Sequence, residues 1–227
     1  MRCENTEELL DFDRMYIEKF GVIAGLDEAG RGPLAGPVVA AAVILGEKIE
    51  GLFDSKALTE KVREELFDKI IKKAKVGIGL SSPDEIDTFN IFEATKLAMN
   101  RAIKKLPIQP DYVIIDGKHL KLNNRGECIV SGDQKSASIA AASIVAKVFR
   151  DRLMKALAVL YPEYSWDKNK GYGTAEHLKA LKIYGPTLWH RLTFSPVKAL
   201  LNREIVLSWL QNDVISERRL FRVGMLF

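Results

Sequence analysis

The chain has 227 residues, of which 47% are hydrophobic and 28% charged. That composition is globular and excludes disorder, collagen and coiled coil as whole-chain readings. A chain this long buries roughly 70% of the surface that its unfolded form exposes, so it needs neither disulfide nor metal to fold. The longest apolar run, Val38–Leu45, is far short of the ~18 residues of a membrane span. Glu4, Glu7 and Glu8 occupy the region where a secretory signal would be apolar. Cys3 and Cys128 are far apart, without a CxxC pair. A cytoplasmic protein with no membrane partner is therefore expected. The formal net charge of +4 permits a nucleic-acid partner without demanding one. The basic clusters at 61–75, 168–182 and 218–222 read first as solvated helix faces.

In chain order, residues 6–20 have the spacing of a short helix, with Leu9, Leu10, Phe12 and Ile17 apolar. Residues 22–26 form a short β-type run that ends in Asp27-Glu28, followed by a Gly30-Arg31-Gly32-Pro33 loop. Val38–Leu45 reads as a second, buried strand, residues 59–73 as an amphipathic helix and 75–80 as a third strand. These strands suggest an antiparallel meander. Residues 91–106 have helical periodicity that Pro107 and Pro110 stop. Strands are expected over 112–115 and 128–130, and a long alanine-rich helix over 135–160. From Tyr164 onward the chain reads as loops and short helices. The pattern predicts an α/β fold: a mixed sheet flanked by helices, with a helical C-terminal extension.

Three apolar runs lead into acids: Asp27-Glu28, Asp116 and Asp133. Open α/β sheets bind ligands beyond the carboxyl ends of their strands. If the three runs are neighbours, four carboxylates converge, and like charges so placed raise one another's pKa unless cations neutralise them. An all-oxygen cluster suits Mg²⁺ or Mn²⁺ rather than zinc. Two such ions about 3.5–4 Å apart can activate a water and stabilise the leaving oxygen of a phosphodiester. Taken singly, Asp133 also reads as a helix cap and Asp116-Gly117 as a turn. Adjacent acids at the end of a buried strand are harder to explain without a cation.

Gly30-x-Gly32-x-x-Ala35 follows a strand, as a dinucleotide fingerprint does. Context argues against that reading, because Pro33 and Pro37 disrupt the helix that should follow and the acids would repel a pyrophosphate. His119, His177 and His190 are too dispersed for a recognised zinc motif and read as surface or packing residues.

The segment Gly25-Leu26-Asp27-Glu28-Ala29-Gly30-Arg31-Gly32-Pro33-Leu34-Ala35-Gly36-Pro37-Val38-Val39-Ala40-Ala41 resembles the signature of bacterial ribonuclease HII. Asp54-Ser55-Lys56, Ile115-Asp116-Gly117, Gly132-Asp133-Gln134-Lys135, Ala141-Ala142-Ser143-Ile144-Val145-Ala146-Lys147 and Lys170-Gly171-Tyr172-Gly173-Thr174 match that family in order. The resemblance implies a ribonuclease H-like mixed five-stranded sheet. It implies a catalytic domain over 1–165 and a helical extension over 166–227 that packs on it and contributes Tyr172. The family's metal-binding acids fall on Asp27, Glu28, Asp116 and Asp133. Substrate contacts fall on Gly30, Arg31, Gly32, Tyr172 and Lys56, the last expected near a phosphate.

The implied activity is hydrolysis of the RNA strand of RNA–DNA hybrids and cutting 5′ of ribonucleotides embedded in duplex DNA. Two Mg²⁺ or Mn²⁺ ions would serve it, and the ends left would be 3′-hydroxyl and 5′-phosphate. Such an enzyme suits ribonucleotide excision and primer removal in DNA replication and repair. Glycines let a backbone approach a sugar closely, and the 2′-hydroxyl is both donor and acceptor, so a loop can read it without reading the base. A DNA nuclease of the same fold and a non-catalytic hybrid-binding module are the rival readings. A monomer is expected, and the apolar tail 223–227 reads first as packing onto the protein's own body, while it also resembles peptides that dock on a sliding clamp.

Overall fold

A computed structural model describes residues 6–52, 55, 58–212 and 214–224. Five strands form one sheet: β1 (Ile23–Ala29), β2 (Val38–Leu45), β3 (Ala74–Ser81), β4 (Tyr112–Asp116) and β5 (Gly126–Ile129), in the order β3-β2-β1-β4-β5. β1 is antiparallel to β2, from Gly25↔Val43 to Ala29↔Val39. It is parallel to β4, from Ile23↔Tyr112 to Leu26↔Ile115, and β4 is parallel to β5. The sheet is thus mixed and five-stranded, as the resemblance implied. β2 reads Val-Val-Ala-Ala-Ala-Val-Ile-Leu with almost no alternation, because it is buried along nearly its whole length.

The helices are α1 (Thr6–Phe20), α2 (Glu60–Lys73), α3 (Pro83–Phe89), α4 (Ile91–Lys104), α5 (Ala137–Leu160), α6 (Trp166–Asn169), α7 (Ala175–Tyr184), α8 (Ser195–Lys198), α9 (Arg203–Gln211) and α10 (Glu217–Val223). None among the described residues is long and apolar enough to cross a membrane. The chain divides into two units. The first is Met1–Ala29, Val39–Leu80 and Thr95–Phe149, and the second is Gly30–Val38, Ser81–Ala94 and Arg150–Phe227.

In the first unit, Leu9 of α1, Ala41 and Val43 of β2, Leu66 and Ile70 of α2, and Ile144 and Val145 of α5 share one core. The start of α5 lies directly on β1. A Cβ at Gly25 would stand 2.3 Å from the carbonyl carbon of Ser138, so the helix backbone approaches only because the strand carries no side chain there. Asp13 of α1 fixes that start as well: its carboxylate accepts from Ser138 N at 2.8 Å, Ser138 Oγ at 2.7 Å and Ser136 Oγ at 2.5 Å. An anion on the open N–H groups of a helix N-terminus is stabilising there.

The second unit has its own core, which includes Leu34, Met154, Trp166, Leu181, Leu192, Leu220 and Val223. Buried Asp87 organises it. The carboxylate accepts from Leu192 N and Thr193 N and pairs with Arg219 at 2.8 Å.

Three elements differ from the sequence expectation. β1 continues through Asp27 and Glu28 to Ala29, because β2 pairs with it to that point, so both acids are inside the sheet. β5 ends at Ile129, and Asp133 lies beyond it in a one-turn 3₁₀ helix, Gly132–Gln134. Helix α3 was not expected. Its signal is a capping box, in which Ser82 Oγ accepts from Glu85 N and Glu85 reaches back to Ser82 N, with Pro83 at the first position.

Candidate active site

The β1–β4 register brings the acids together. One step past the last pair, Leu26↔Ile115, Asp27 and Asp116 stand side by side on parallel neighbouring strands. Asp116 Oδ1 accepts from Gly132 N at 2.6 Å, which ties the turn that carries Asp133 to the end of β4. Asp27 and Asp133 are only 5% and 3% exposed. The Asp27 carboxylate accepts from Glu28 N at 2.7 Å and from the Ser143 hydroxyl of α5. Ser143 Oγ lies 2.8 Å from Ser55 Oγ, so a hydroxyl relay backs the acid. Burial, then the negative charges of Glu28 and Asp116, hold the Asp27 carboxyl well above the usual carboxylate range.

That upward pressure is what a cation would relieve, and the donor set consists of carboxylate oxygens, as hard divalent ions require. Among the described residues, no three acid, histidine or cysteine side chains close around one point as a finished cage. The acids therefore fit a divalent cation in kind, and Asp27 and Asp116 do so in backbone placement.

The second unit carries the loop and the tyrosine. Gly30 has φ +97°, and a Cβ there would stand 2.0 Å from Arg150 Nε. Leu34 N and Ala35 N donate to the Gly171 carbonyl, at 2.8 and 3.3 Å, which docks the Lys170–Gly173 segment on the loop. A Cβ at Gly32 would be 3.6 Å from Tyr172 Cε1, so the ring stands beside the loop apex. Behind Tyr172, its carbonyl meets His177 Nδ1 at 2.9 Å, while His177 Nε2 meets Trp166 Nε1 and His190 Nε2, each at 3.1 Å. His190 Nδ1 accepts from Thr187 N, so its Nε2 carries the proton. Burial first, and then the charge on His177, push the His190 pKa down to about 3.

In the first unit Asp27 thus neighbours Glu28 and Asp116, with Asp133 on the turn tied to Asp116, and in the second Tyr172 stands beside the Gly30-Arg31-Gly32 loop. Lys56 lies outside the described residues. The sequence reading missed Ser143 as a partner of Asp27, gave no role to Arg150 or Arg191, and took His177 and His190 as surface or packing residues, of which buried packing is what the structure shows. Ser143 was inside a quoted motif, whereas the other four show their roles only through the carbonyls and rings that surround them.

Residues 24–197 match the family Ribonuclease HII. The chain belongs to that family. The ribonucleases HII of Thermotoga maritima and Pseudothermotoga lettingae are 53% and 56% identical to it, over 94% and 93% of this chain and 90% and 94% of theirs. Among solved structures, ribonuclease H2 of Pyrococcus horikoshii aligns with TM-score 0.67 and 29% identity, over 78% of this chain and 96% of that one. Two structures share the fold at lower identity. Bst-RNase HIII in complex with Mn²⁺ has TM-score 0.59 at 17%, over 78% of this chain and 68% of that one. RNase HII of Archaeoglobus fulgidus in its PCNA complex has TM-score 0.58 at 24%, over 86% and 91%. As a ribonuclease HII, the protein is a divalent-metal-dependent endoribonuclease of the ribonuclease H type that acts on RNA–DNA hybrids.

Proposed function

We propose that this ribonuclease HII cuts on the 5′ side of ribonucleotides, both in RNA–DNA hybrids and singly embedded in duplex DNA, and leaves 3′-hydroxyl and 5′-phosphate ends. The observation that carries the reading is the side-by-side placement of Asp27 and Asp116 on β1 and β4, with the Asp133 turn tied to Asp116. Asp27, Glu28, Asp116 and Asp133 would hold two Mg²⁺ or Mn²⁺ ions. Bound there, the ions supply Lewis acidity to the phosphodiester and to water. Ser143 keeps the Asp27 carboxylate oriented toward them.

Glu28 is two residues from Gly30, so the Gly30-Arg31-Gly32 loop reads the 2′-hydroxyl of the sugar beside the reacting phosphate. Arg31 meets a phosphate through its planar fork. Tyr172 covers the following deoxyribose, which favours an RNA–DNA junction, and Lys56 meets a further phosphate. In this organisation residues 1–165 form the catalytic domain and 166–227 the extension that supplies Tyr172. The chain acts as a monomer. For the tail, we propose a sliding-clamp contact through residues 225–227, which lie outside the described residues; Val223 is buried in the second unit and is no part of it.

The test is cleavage of three matched duplexes: all DNA, one ribonucleotide, and a full hybrid. Metal-dependent cutting is expected at the lone ribonucleotide and in the hybrid, and none in all-DNA. A donor or acceptor left unpaired by a deoxy sugar costs about 1–3 kcal/mol, and misplacement of the phosphate adds ~10²-fold. Equal cutting of the all-DNA duplex would replace this reading with that of a general nuclease of the same fold. Binding of the hybrid without turnover would replace it with that of a binding module.

A further inference from the structure

Arg150 and Arg191 are 1% and 0% exposed, and all their guanidinium nitrogens donate to backbone carbonyls. Arg150 reaches Pro37 O at 3.0 Å, Ala35 O at 3.0 Å and Lys170 O at 2.9 Å. Arg191 reaches Gly36 O at 3.1 Å, Arg31 O at 2.7 Å and also Gly30 O. Five of these six carbonyls belong to residues 30–37. Burial pushes Arg150 down to about 10 and, together with the charge of Arg150, Arg191 down to about 9, so both stay charged at neutral pH.

A cation on a carbonyl polarises its peptide unit and makes the N–H at the other end a stronger donor. The units whose carbonyls face Arg191 at the apex are 30–31 and 31–32, and their N–H groups belong to Arg31 and Gly32, both exposed. Elsewhere in the loop Pro33 and Pro37 have no N–H, and those of Leu34, Ala35 and Gly36 are spent on Gly171 O and Trp189 O. At the apex, the Gly32 N–H is polarised through the Arg31 carbonyl that Arg191 holds. Arg150 has a different geometry: by bridging Ala35 and Pro37 to Lys170 it fixes the spacing between the loop and the segment that carries Tyr172.

We infer that these two buried guanidiniums are positioning residues for ribonucleotide selection, Arg191 by strengthening the Arg31 and Gly32 N–H donors toward a 2′-oxygen and Arg150 by setting the gap between that loop and Tyr172. The inference rests on the reading above, in which the loop and Tyr172 meet the ribonucleotide and the next sugar.

Arg191→Lys and Arg150→Lys in the full chain test it, because lysine keeps the charge and loses the fork that spans three carbonyls. In Arg191→Lys, kcat/KM on the single-ribonucleotide duplex falls about 10- to 100-fold, chiefly through KM. Affinity for all-DNA duplex is unchanged, and the Gly32 amide proton moves upfield. In Arg150→Lys, the preference for the single-ribonucleotide duplex over the uniform hybrid flattens while the Gly32 amide resonance stays in place.

A merely structural role would lower both substrates by one factor, with kcat scaled to the folded fraction and KM unmoved; that result overturns the inference. If Arg191→Lys does not fold, the parent's Gly32 amide proton decides that half, and an unshifted, random-coil position overturns it. If the parent itself fails to prefer ribonucleotide over all-DNA duplex, the proposed function falls and takes the inference with it. If the parent discriminates and both folded variants keep its ratios, the inference alone falls.

Discussion

Replacing Asp27 by asparagine should make the metal-free protein more stable while it destroys activity. The carboxylate is buried, and Glu28 and Asp116 add repulsion. Asparagine keeps an oxygen for Glu28 N, loses the charge-assisted bond from Ser143, and presents its amide to the neighbouring carboxylates. Relief of a buried charge outweighs one lost hydrogen bond by about 1–3 kcal/mol, which for a chain of this size is about 2–12 °C in Tm. The sign depends on pH. A folded carboxyl raised above its unfolded value favours the protonated form, so stability falls as pH rises from the unfolded value, about 3.9, through the folded one. The Asp27→Asn gain should therefore be near zero at about pH 4 and larger at about pH 8. Magnesium should raise the Tm of the parent and close the gap, since a ligand that binds only the folded form stabilises it. Thermal melts of both proteins at the two pH values, with EDTA and with magnesium, measure this directly. A lower metal-free Tm for Asp27→Asn at pH 8 would show that the carboxylate is net stabilising and refute the reasoning.

Other outcomes follow from the same geometry. Asp133→Asn should lower hydrolysis by orders of magnitude and leave hybrid binding within a few-fold, as gel-shift and turnover assays would report; near-parental turnover would remove Asp133 from the site. Tyr172→Ala should reduce cleavage at a lone ribonucleotide more than it reduces affinity for that duplex, read as a kcat loss with Kd retained. Asp87→Ala removes the close counter-ion of the buried Arg219 guanidinium, leaving Asp84 at 3.8 Å, and should cost about 3–5 kcal/mol, measured by denaturant unfolding. His190, held neutral down to about 3, contributes stability that is complete above about pH 6.5 and declines as pH falls toward its folded value. NMR titration should show no protonation of its ring between pH 8 and 5.

The sequence was most legible where a pattern is local. Val38–Leu45 matches β2 at both ends because an uninterrupted apolar run has few alternatives to a buried strand. Helix α2 starts one residue after Thr59, whose hydroxyl caps Val62 N. The acids were readable as types and positions, but the adjacency of Asp27 and Asp116 depends on β1 pairing in parallel with β4, more than eighty residues on, and no local pattern encodes that partner choice. The first cap missed was at Ser82, where Pro83 and Glu85 complete a written signal. Arg150 and Arg191 were beyond reach for a different reason. An arginine on a helix or in a loop reads as solvated, and only the arrangement of carbonyls around it reveals a buried cation.

The pairing of β1 with β4 also sets when the proposed metal site can form during synthesis. Asp27 and Glu28 emerge early from the ribosome, yet their partners are Asp116 and the turn at Gly132–Gln134, anchored by α5. A parallel pairing across so long a stretch closes late, after the intervening helices have been made. A nascent chain therefore cannot bring the Asp133 turn to the end of β4 until the start of α5 has left the exit tunnel. The topology therefore delays the proposed site until most of the first unit has been synthesised.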